Sequence, residues 1–238
     1  MQTSRLDAIA RAIAALKRPA DPARPPRIPV ETDGRIVAFL RAVPAVPGST
    51  DDARCMAEWR NLHKTAFFTW ITATADDTRR WLAQTYAPQD TDIIFMLERP
   101  DGVPFGHVAL YNFQADAPAC EFGRILRGPS APAGAMKQCC LAVLDWAATR
   151  LGIERFWLEV FADNERAIAL YEWLGFAPGE RLALKRIDAG GVTRWEKTLT
   201  PASGMPAADG YALRMELAAA ALRTRTTATH EPKERQPR

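Results

Sequence analysis

The sequence predicts an α/β protein, with one mixed, mostly antiparallel sheet and helices packed on both of its faces. Short apolar, β-rich runs alternate with longer segments whose apolar residues recur every three or four positions. Turn-forming residues separate consecutive β-rich runs in the middle of the chain, which predicts antiparallel hairpins. Further along, a strand, a helix and a strand follow one another, which predicts a parallel pair joined by a right-handed crossover.

The start of the chain is expected to be an appendage. Apolar residues recur at helical spacing over residues 3–18, and residues 19–29 contain five prolines and several charged side chains. We therefore divide the chain into an amphipathic helix and Pro-rich linker (1–30), a main domain (31–200), and a C-terminal helix and basic tail (201–238). The tail is expected to be disordered because it is charged and has almost no apolar residues.

The elements of the main domain follow from periodicity and turn signals. A helix starting at Asp51 or Asp52 precedes a second one, for which Thr74 and Asp77 form a capping box. The turns 99–102 and 188–191 each join two strands. The expected strands are 35–43, 91–98, 105–113, 119–127, 155–161, 181–187 and 193–199. The later expected helices are 74–86, 133–151, 164–174 and 208–222.

Composition excludes several classes of function. Apolar residues make up 47% of the chain, and the net charge of +3 is too small to argue for a nucleic-acid partner. The chain has no run of about 18 apolar residues, so no membrane span is expected. Charged residues interrupt the apolar stretch near the N-terminus, so no signal peptide is expected. The four cysteines are expected to be reduced core residues in a cytoplasmic protein, and none has the spacing of a metal site. Homodimer formation is left open.

The most informative segment runs from Asn164 to Phe176, with the sequence NERAIALYEWLGF. Asn164 can cap a helix, and Gly175 stands where a helix end favours a left-handed residue. Tyr171 falls on the inner face of that helix. On these residues alone, a capped helix with a buried tyrosine is as good an interpretation as a functional site.

The pattern N-x-x-A-x-x-x-Y-x-x-x-G-F, following the strand 155–161, resembles the closing motif of the GNAT superfamily of N-acetyltransferases. The resemblance covers roughly residues 35–199. It implies the acyl-CoA N-acyltransferase fold, in which the middle strands of the sheet splay apart, and acetyl-CoA as co-substrate. It also implies that Tyr171 is the general acid toward the leaving thiolate, and that Asn164 and Ala167 contact the CoA arm.

A second segment leads from Glu121 through a proline-containing loop into a helix. A helix N-terminus offers unpaired amides to a pyrophosphate, and a glycine lets the backbone approach it closely. The resemblance implies that Arg127, Gly134, Ala135 and Met136 hold the CoA phosphates. The loop departs from the family pattern R/Q-x-x-G-x-G/A, because Arg127 precedes Gly134 by seven residues. An ordinary strand–helix connection is the alternative interpretation.

Acetyl transfer needs a neutral amine, so a general base is expected. Glu121 is the main candidate, because GNAT enzymes often place a carboxylate on the strand before the phosphate loop. Glu159 and His107 are alternatives. A backbone amide near Ile125 or Leu126 is expected to stabilise the oxyanion.

The front half of the chain is similar to the branch that includes ribosomal-protein and amino-sugar acetyltransferases. That similarity implies that two early helices roof the acceptor pocket. Trp59, Asn61 and Phe67 are the expected lining, together with His107. Core packing is the alternative for Trp59.

These observations predict an N-acetyltransferase that moves an acetyl group from acetyl-CoA to a primary amine by direct attack in a ternary complex. The preferred acceptor is a small molecule such as an amino-sugar nucleotide. Two alternatives remain open: a ribosomal-protein-like N-terminal acetyltransferase, and a non-catalytic acyl-CoA-binding or interaction module. No metal, nucleic acid or membrane is expected as a partner.

Overall fold

The structure, a computed structural model, describes residues 4–45, 50–198 and 208–222. This part of the chain forms five α-helices, a 3-10 helix (Lys64–Ala66), a π-helix (Leu82–Tyr86) that continues α3, and ten strands. The helices are α1 (Arg5–Lys17), α2 (Thr50–Leu62), α3 (Ala75–Trp81), α4 (Ala135–Arg150) and α5 (Glu165–Leu174). The strands are β1 (Arg27–Thr32), β2 (Arg35–Ala42), β3 (Thr69–Trp70), β4 (Ile93–Glu98), β5 (Pro104–Tyr111), β6 (Ala119–Arg127), β7 (Arg155–Phe161), β8 (Ala177–Ala189), β9 (Val192–Lys197) and β10 (Gly210–Ala218). The basic tail predicted over 223–238 lies outside the described residues.

All ten strands belong to one sheet, in the order β1-β2-β4-β5-β6-β7-β10-β8-β9-β3. Neighbouring strands pair antiparallel, except for β6 and β7, which are parallel. The helix α4 connects those two strands, as the predicted crossover requires. The predicted mixed α/β fold is therefore confirmed.

Helices cover both faces of the sheet. One face packs against α1, α4 and α5 in the larger core, to which β4 contributes Phe95. The other face packs against α2 and the α3 segment in a second core, to which the same strand contributes Ile94 and Met96. Adjacent residues of β4 thus enter different cores, as the two-residue period of a strand dictates. Cys55, Cys120, Cys139 and Cys140 are all free and buried, as predicted.

The N-terminal helix was predicted correctly, but the expectation that it is an appendage is wrong. Ile9 and Ile13 of α1 are buried in the larger core. Part of the expected linker forms β1, which pairs with β2 and buries Val30. The position of a domain boundary near residue 30 stays a prediction, but the residues before it are packed into the same core.

The helix predicted over 208–222 is largely wrong, because residues 210–218 form the strand β10. This strand pairs with β7 on one side and with β8 on the other. Its buried residues Ala212, Met215 and Leu217 do not share the spacing of a single helix face. The alanine-rich sequence favours a helix locally, but pairing on both edges overrides that preference.

The connection between α2 and α3 contains a short strand that the sequence did not reveal. In β3, Thr69 and Trp70 pair with β9 at the edge of the sheet. The side chain of Asn61 fixes the far end of this connection, since it donates to the Ala73 carbonyl (2.9 Å) and accepts from the Ala73 amide (2.8 Å). The connection is therefore held in its middle by β3 and at its far end by Asn61.

Candidate active site

The central strands β6 and β7 part after only three paired positions. Their parallel pairing joins Ala119–Glu121 to Arg155–Trp157. Beyond this point β6 continues to Arg127 and β7 to Phe161 without pairing to each other. The splay expected between the middle strands is therefore present.

A β-bulge in β6 accompanies the splay. Ala109 and His107 of β5 pair with Gly123 and Leu126 of β6, so β6 has one residue more than its partner between the two pairs. Arg124, inside the bulge, has a φ of +49°, which is uncommon for a residue other than glycine. The extra residue re-aims the strand just where it leaves β7.

A cavity of about 370 Å³, which we call the central cleft, lies beside the end of β6 that has left β7. It is bordered by α4, α5, the end of β6 and the residues that follow α2. Its lining is His63, Ala66, Ile125, Leu126, Arg127, Met136, Lys137, Asn164, Arg166, Ala167, Ala169, Leu170 and Tyr171. Eight residues were predicted to contact CoA or the oxyanion of its thioester; six of them line this cleft, and the other two, Gly134 and Ala135, lie at the helix start beside it.

Tyr171 faces the central cleft from α5. The Oδ1 of Asn164 caps that helix by accepting from the Ala167 amide (3.2 Å), and Gly175 ends it with a φ of +103°. The Tyr171 ring packs edge-on against Phe176, with centroids 6.1 Å apart. Burial raises the pKa of the Tyr171 phenol, so it carries its proton at neutral pH.

Cationic side chains line the central cleft. Arg127 and Lys137 stand on either side of the loop before α4, and Lys137 Nζ lies 4.8 Å from the centre of the Trp173 ring. Arg166, in the first turn of α5, also lines the cleft. Sequence reasoning missed Lys137 and Arg166, although each lies in the first turn of a helix that borders the cleft. This arrangement suits a ligand with several phosphates.

The loop before α4 brings a helix N-terminus to the cleft. Gly134 is the N-cap of α4 with a φ of +76°, in the left-handed region that favours glycine. Met136, in the first turn, lines the cleft, and Ala135 beside it is buried. The long spacing from Arg127 is taken up by the loop, where a Cβ on Gly128 would lie 2.6 Å from the Trp59 indole.

Glu121 is the last residue of β6 that pairs with β7. The Tyr111 hydroxyl donates to its Oε1 and Asn112 Nδ2 donates to its Oε2, both over 2.7 Å. Burial raises the pKa of Glu121, although these two hydrogen bonds oppose the shift. Gly123 makes room for this contact, because a Cβ there would lie 2.6 Å from the Tyr111 hydroxyl oxygen.

A second cavity, of about 520 Å³, lies between the sheet and the helices α2 and α3, and we call it the α2–α3 cavity. Leu126, at the bulge, lines both this cavity and the central cleft. The two spaces are therefore adjacent at Leu126. The lining is Met56, Arg60, Phe67, Ile71, Ala73, Asp77, Thr78, Trp81, His107, Arg124 and Leu126.

The structure separates the four residues predicted to bind the acceptor. Phe67 and His107 line the α2–α3 cavity. Trp59 is only 3% exposed and packs against Gly128, and the Asn61 side chain is engaged by Ala73, so neither belongs to the cavity lining. Their contact with an acceptor stays a prediction, and their present contacts are structural. Burial lowers the pKa of His107 to about 4, which keeps its imidazole neutral.

A third cavity, of about 650 Å³, lies beyond β7 among β3, β9 and β10. Its walls include the aromatic side chains of Trp70, Trp195 and Tyr211. It shares Ala66 and Asn164 with the central cleft, so it adjoins the cleft at the cap of α5.

Comparison with known proteins agrees with this architecture. The sequence profile of the family described as an acetyltransferase (GNAT) domain matches residues 46–177, more than half of the chain. The chain belongs to the GNAT acetyltransferase family. No curated protein matches the sequence.

Solved structures of spermidine N-acetyltransferase from Vibrio cholerae have the same fold. The complex with CoA and spermine is 18% identical, with a TM-score of 0.60 over 78% of this chain and 98% of that chain. A mutant form of that enzyme is 19% identical, with a TM-score of 0.57 over 79% and 98%. The complex with manganese ions is 20% identical, with a TM-score of 0.55 over 80% and 97%.

The residues around the central cleft fit acetyl-CoA. The cations at its border suit the phosphates, and the gap between the two strands suits a narrow chain that carries the thioester. The protein is an acetyl-CoA-dependent N-acetyltransferase. None of the described helices is both long enough and apolar enough to cross a bilayer. Within the described ranges, no three His, Cys, Asp or Glu side chains are grouped as a metal site requires.

Proposed function

We propose that the protein acetylates the primary amine of a small molecule, such as an amino-sugar nucleotide, by direct attack in a ternary complex. The supporting observation is that Leu126 lines both the central cleft and the α2–α3 cavity, so the two spaces are adjacent there. A donor in the cleft and an acceptor in the cavity would come together at the bulge of β6. Such proximity is a large part of what an enzyme contributes to a two-substrate reaction.

The donor is held along the central cleft. Bound acetyl-CoA supplies the acetyl thioester. Arg127, Lys137 and Arg166 bind its phosphates together with the N-terminus of α4. The amide of Ile125 or Leu126 stabilises the negative charge that develops on the carbonyl oxygen, because the bulge leaves this stretch unpaired to β7.

Glu121 acts as the general base. Its carboxylate sits where pairing between β6 and β7 ends, and Tyr111 and Asn112 hold it in place. A raised pKa brings a carboxylate closer to the operating pH, which makes it a better proton acceptor. The proton leaves the attacking amine for Glu121, directly or through water.

Tyr171 acts as the general acid. Its buried phenol keeps its proton, and it lines the cleft in which the thiol end of the donor lies. Donating that proton lets CoA leave as a neutral thiol. In this proposal Tyr171 serves the donor from the cleft, and Glu121 serves the acceptor from the point where β6 leaves β7.

A small acceptor fits the volume of the α2–α3 cavity better than a protein chain does. The cavity is bordered by α2, α3 and the connection between them, which β3 pins to the sheet. The neighbouring structures are named for spermidine, but here two arginines and one aspartate line the cavity. This balance of charge does not suit a polyamine, which carries several positive charges.

The proposal is tested by thiol release from acetyl-CoA in the presence of amino sugars, amino acids, polyamines or peptides with free N-termini. We expect at least one small amine to raise thiol release above the amine-free control, with an acetylated product in the mass spectrum. Initial rates with both substrates varied should give intersecting lines. Parallel lines in the double-reciprocal plots, or an acetyl group bound covalently to the enzyme during turnover, contradict direct attack. Thiol release that occurs only with the peptides contradicts a small-molecule acceptor.

A further inference from the structure

Arg60 is the unusual residue of the α2–α3 cavity. It projects from α2 into the cavity lining, and its guanidinium carbon lies 3.6 Å from the centre of the Phe67 ring. Its Nη2 donates to the Thr69 carbonyl over 2.8 Å. Its Nε is buried and has no hydrogen-bond partner among the described residues.

The charge of Arg60 is not balanced by a neighbouring carboxylate in the described part of the chain. Burial alone lowers the pKa of Arg60 to about 10, and no acidic group opposes this shift. Arg41 is similarly buried, but its guanidinium pairs with Asp52 and Glu98 and its pKa is raised. A buried cation without a counterion is costly unless something else supplies the negative charge.

The other charges of the cavity are already paired. Arg124 lies 3.2 Å from the carboxylate of Asp92. Asp77 accepts from the Thr74 hydroxyl (2.7 Å) and pairs with Arg80. His107 is neutral. Among the described lining residues, Arg60 alone therefore offers a positive charge to a ligand.

We infer that the acceptor amine also carries an anionic group, a phosphate or a carboxylate, which Arg60 binds inside the α2–α3 cavity. This inference rests on the proposed function, and it names the substrate class of the same site. Phe67 stacks on the guanidinium and the Thr69 carbonyl accepts from Nη2, but no carboxylate of the described residues balances its charge, which an anionic group of the acceptor would do. The amine end of such a molecule would extend toward Leu126 and the bulge.

The test compares matched amines that differ in one anionic group. The pairs are glucosamine 6-phosphate with glucosamine, phosphoethanolamine with ethanolamine, and β-alanine with propylamine, and spermidine is added as a polycation. The wild-type protein should give a kcat/KM at least about tenfold higher for the anionic member of a pair, the effect expected of one hydrogen bond to a charged group. The phosphate and carboxylate pairs distinguish the two kinds of anion.

Variants separate this role from a structural one. Arg60→Gln should lower kcat/KM for the anionic acceptor by about 10- to 100-fold, while kcat/KM for its neutral partner changes little. Arg60→Lys should keep part of the preference, because the charge remains without the planar fork. Arg54→Gln removes a charge from the exposed side of the same helix and should leave the preference unchanged. If Arg60 only supported the connection after α2, both members of a pair would lose activity equally.

A binding measurement keeps the two proposals distinguishable. Thermal shifts with CoA and each amine should show preferential stabilisation by the anionic members in the wild-type protein and none in Arg60→Gln. Such binding without turnover supports the anionic site and counts against the proposed reaction. The inference is overturned if the wild-type protein binds or acetylates the neutral amines or spermidine as well as the anionic amines. It is also overturned if the preference for anionic amines remains in Arg60→Gln.

Discussion

The central cleft and the α2–α3 cavity are built in different ways. Helix α5 and its cap alone supply six residues of the cleft lining, and they lie within 164–171. The walls of the α2–α3 cavity come from α2, α3, the connection between them, β5 and β6. Nearly half of the cleft lining therefore comes from one short continuous motif, whereas no single motif dominates the lining of the α2–α3 cavity.

This difference follows from what each space must do. Acetyl-CoA is the same donor throughout the family, so the strand, cap and helix that bind it are expected to keep the same spacing. The spacing in the sequence can therefore predict the donor site. An acceptor site must differ from one enzyme to another, because specificity belongs to the site and not to the fold. Changes in the cleft should therefore affect every acceptor alike, and changes in the cavity should affect only some.

The largest expected effect is on the donor side. Tyr171→Phe removes the phenol that lines the cleft and keeps the ring packing against Phe176. Because the thiolate then leaves without a proton donor, kcat should fall by about 10²-fold or more for every acceptor. Steady-state kinetics with acetyl-CoA varied should show a nearly unchanged KM for the donor.

Tyr211→Phe is the matched control for that variant. Tyr211 lines the third cavity, with the Arg181 guanidinium 3.9 Å from its ring centre. The Tyr211→Phe variant should retain the kcat of the wild-type protein. Unchanged turnover in Tyr171→Phe would remove this residue from the mechanism.

The next effect tests how far the α2–α3 cavity depends on distant segments. Lys17, at the end of α1, donates to the carbonyls of Tyr86 (3.2 Å), Gln89 (2.8 Å) and Asp92 (3.0 Å). The Asp92 carboxylate in turn holds Arg124 on the cavity wall. Lys17→Met should lower the free energy of unfolding by about 2–3 kcal/mol, because three carbonyls lose their donor. Urea unfolding measures this change.

The neighbouring Arg18→Gln provides the comparison. Arg18 forms an exposed pair with Asp90, so its loss should cost less than about 1 kcal/mol. In Lys17→Met, the KM for the acceptor should rise while the KM for acetyl-CoA stays the same. Equal unfolding free energies for the two variants would show that α1 does not support the cavity.

The smallest effect concerns the pH dependence of the acetyl transfer. Burial raises the pKa of Glu121, so the wild-type rate should rise with pH as this carboxyl loses its proton, above the ordinary range of a glutamate. Glu121→Gln should lack this acidic limb. Its kcat/KM should be about tenfold lower at neutral pH, and the deficit should shrink at high pH, where the amine is neutral without help.

Glu159→Gln is the control for the general base. Glu159 lies on β7 and forms an ion pair with Lys197 over 2.6 Å, whereas Glu121 accepts hydrogen bonds from neutral side chains. This variant should keep the acidic limb of the pH–rate profile. If Glu159→Gln loses the acidic limb of the pH–rate profile and Glu121→Gln keeps it, the general base is Glu159.

The sequence predicted much of the fold and of the central cleft correctly. The bounds expected for β6 and β7 agree with the structure, and α5 begins and ends where its cap and Gly175 indicate. These elements have strong local signals, namely alternation, a capping side chain and a left-handed stop. The separation of the middle strands β6 and β7 also agrees with the expectation from the family.

The remainder depended on contacts that no local pattern reports. β10 was mistaken for a helix because its pairing with β7 and β8 joins segments far apart in sequence. β1 was hidden in a proline-rich stretch, since an edge strand tolerates prolines that a central strand does not. The role of Arg60 was not predicted from the sequence, because an arginine on an amphipathic helix is expected to be exposed unless its neighbours in the fold are known.

The place of β10 in the sheet constrains how the molecule forms during synthesis. Until residue 218 has emerged from the ribosome, β7 and β8 cannot be bridged, and the edges they present to each other stay unpaired. Bare strand edges are where chains pair with the wrong partner. A protein cut short before residue 210 should therefore be an aggregating species, even though every residue of its donor motif would still be present.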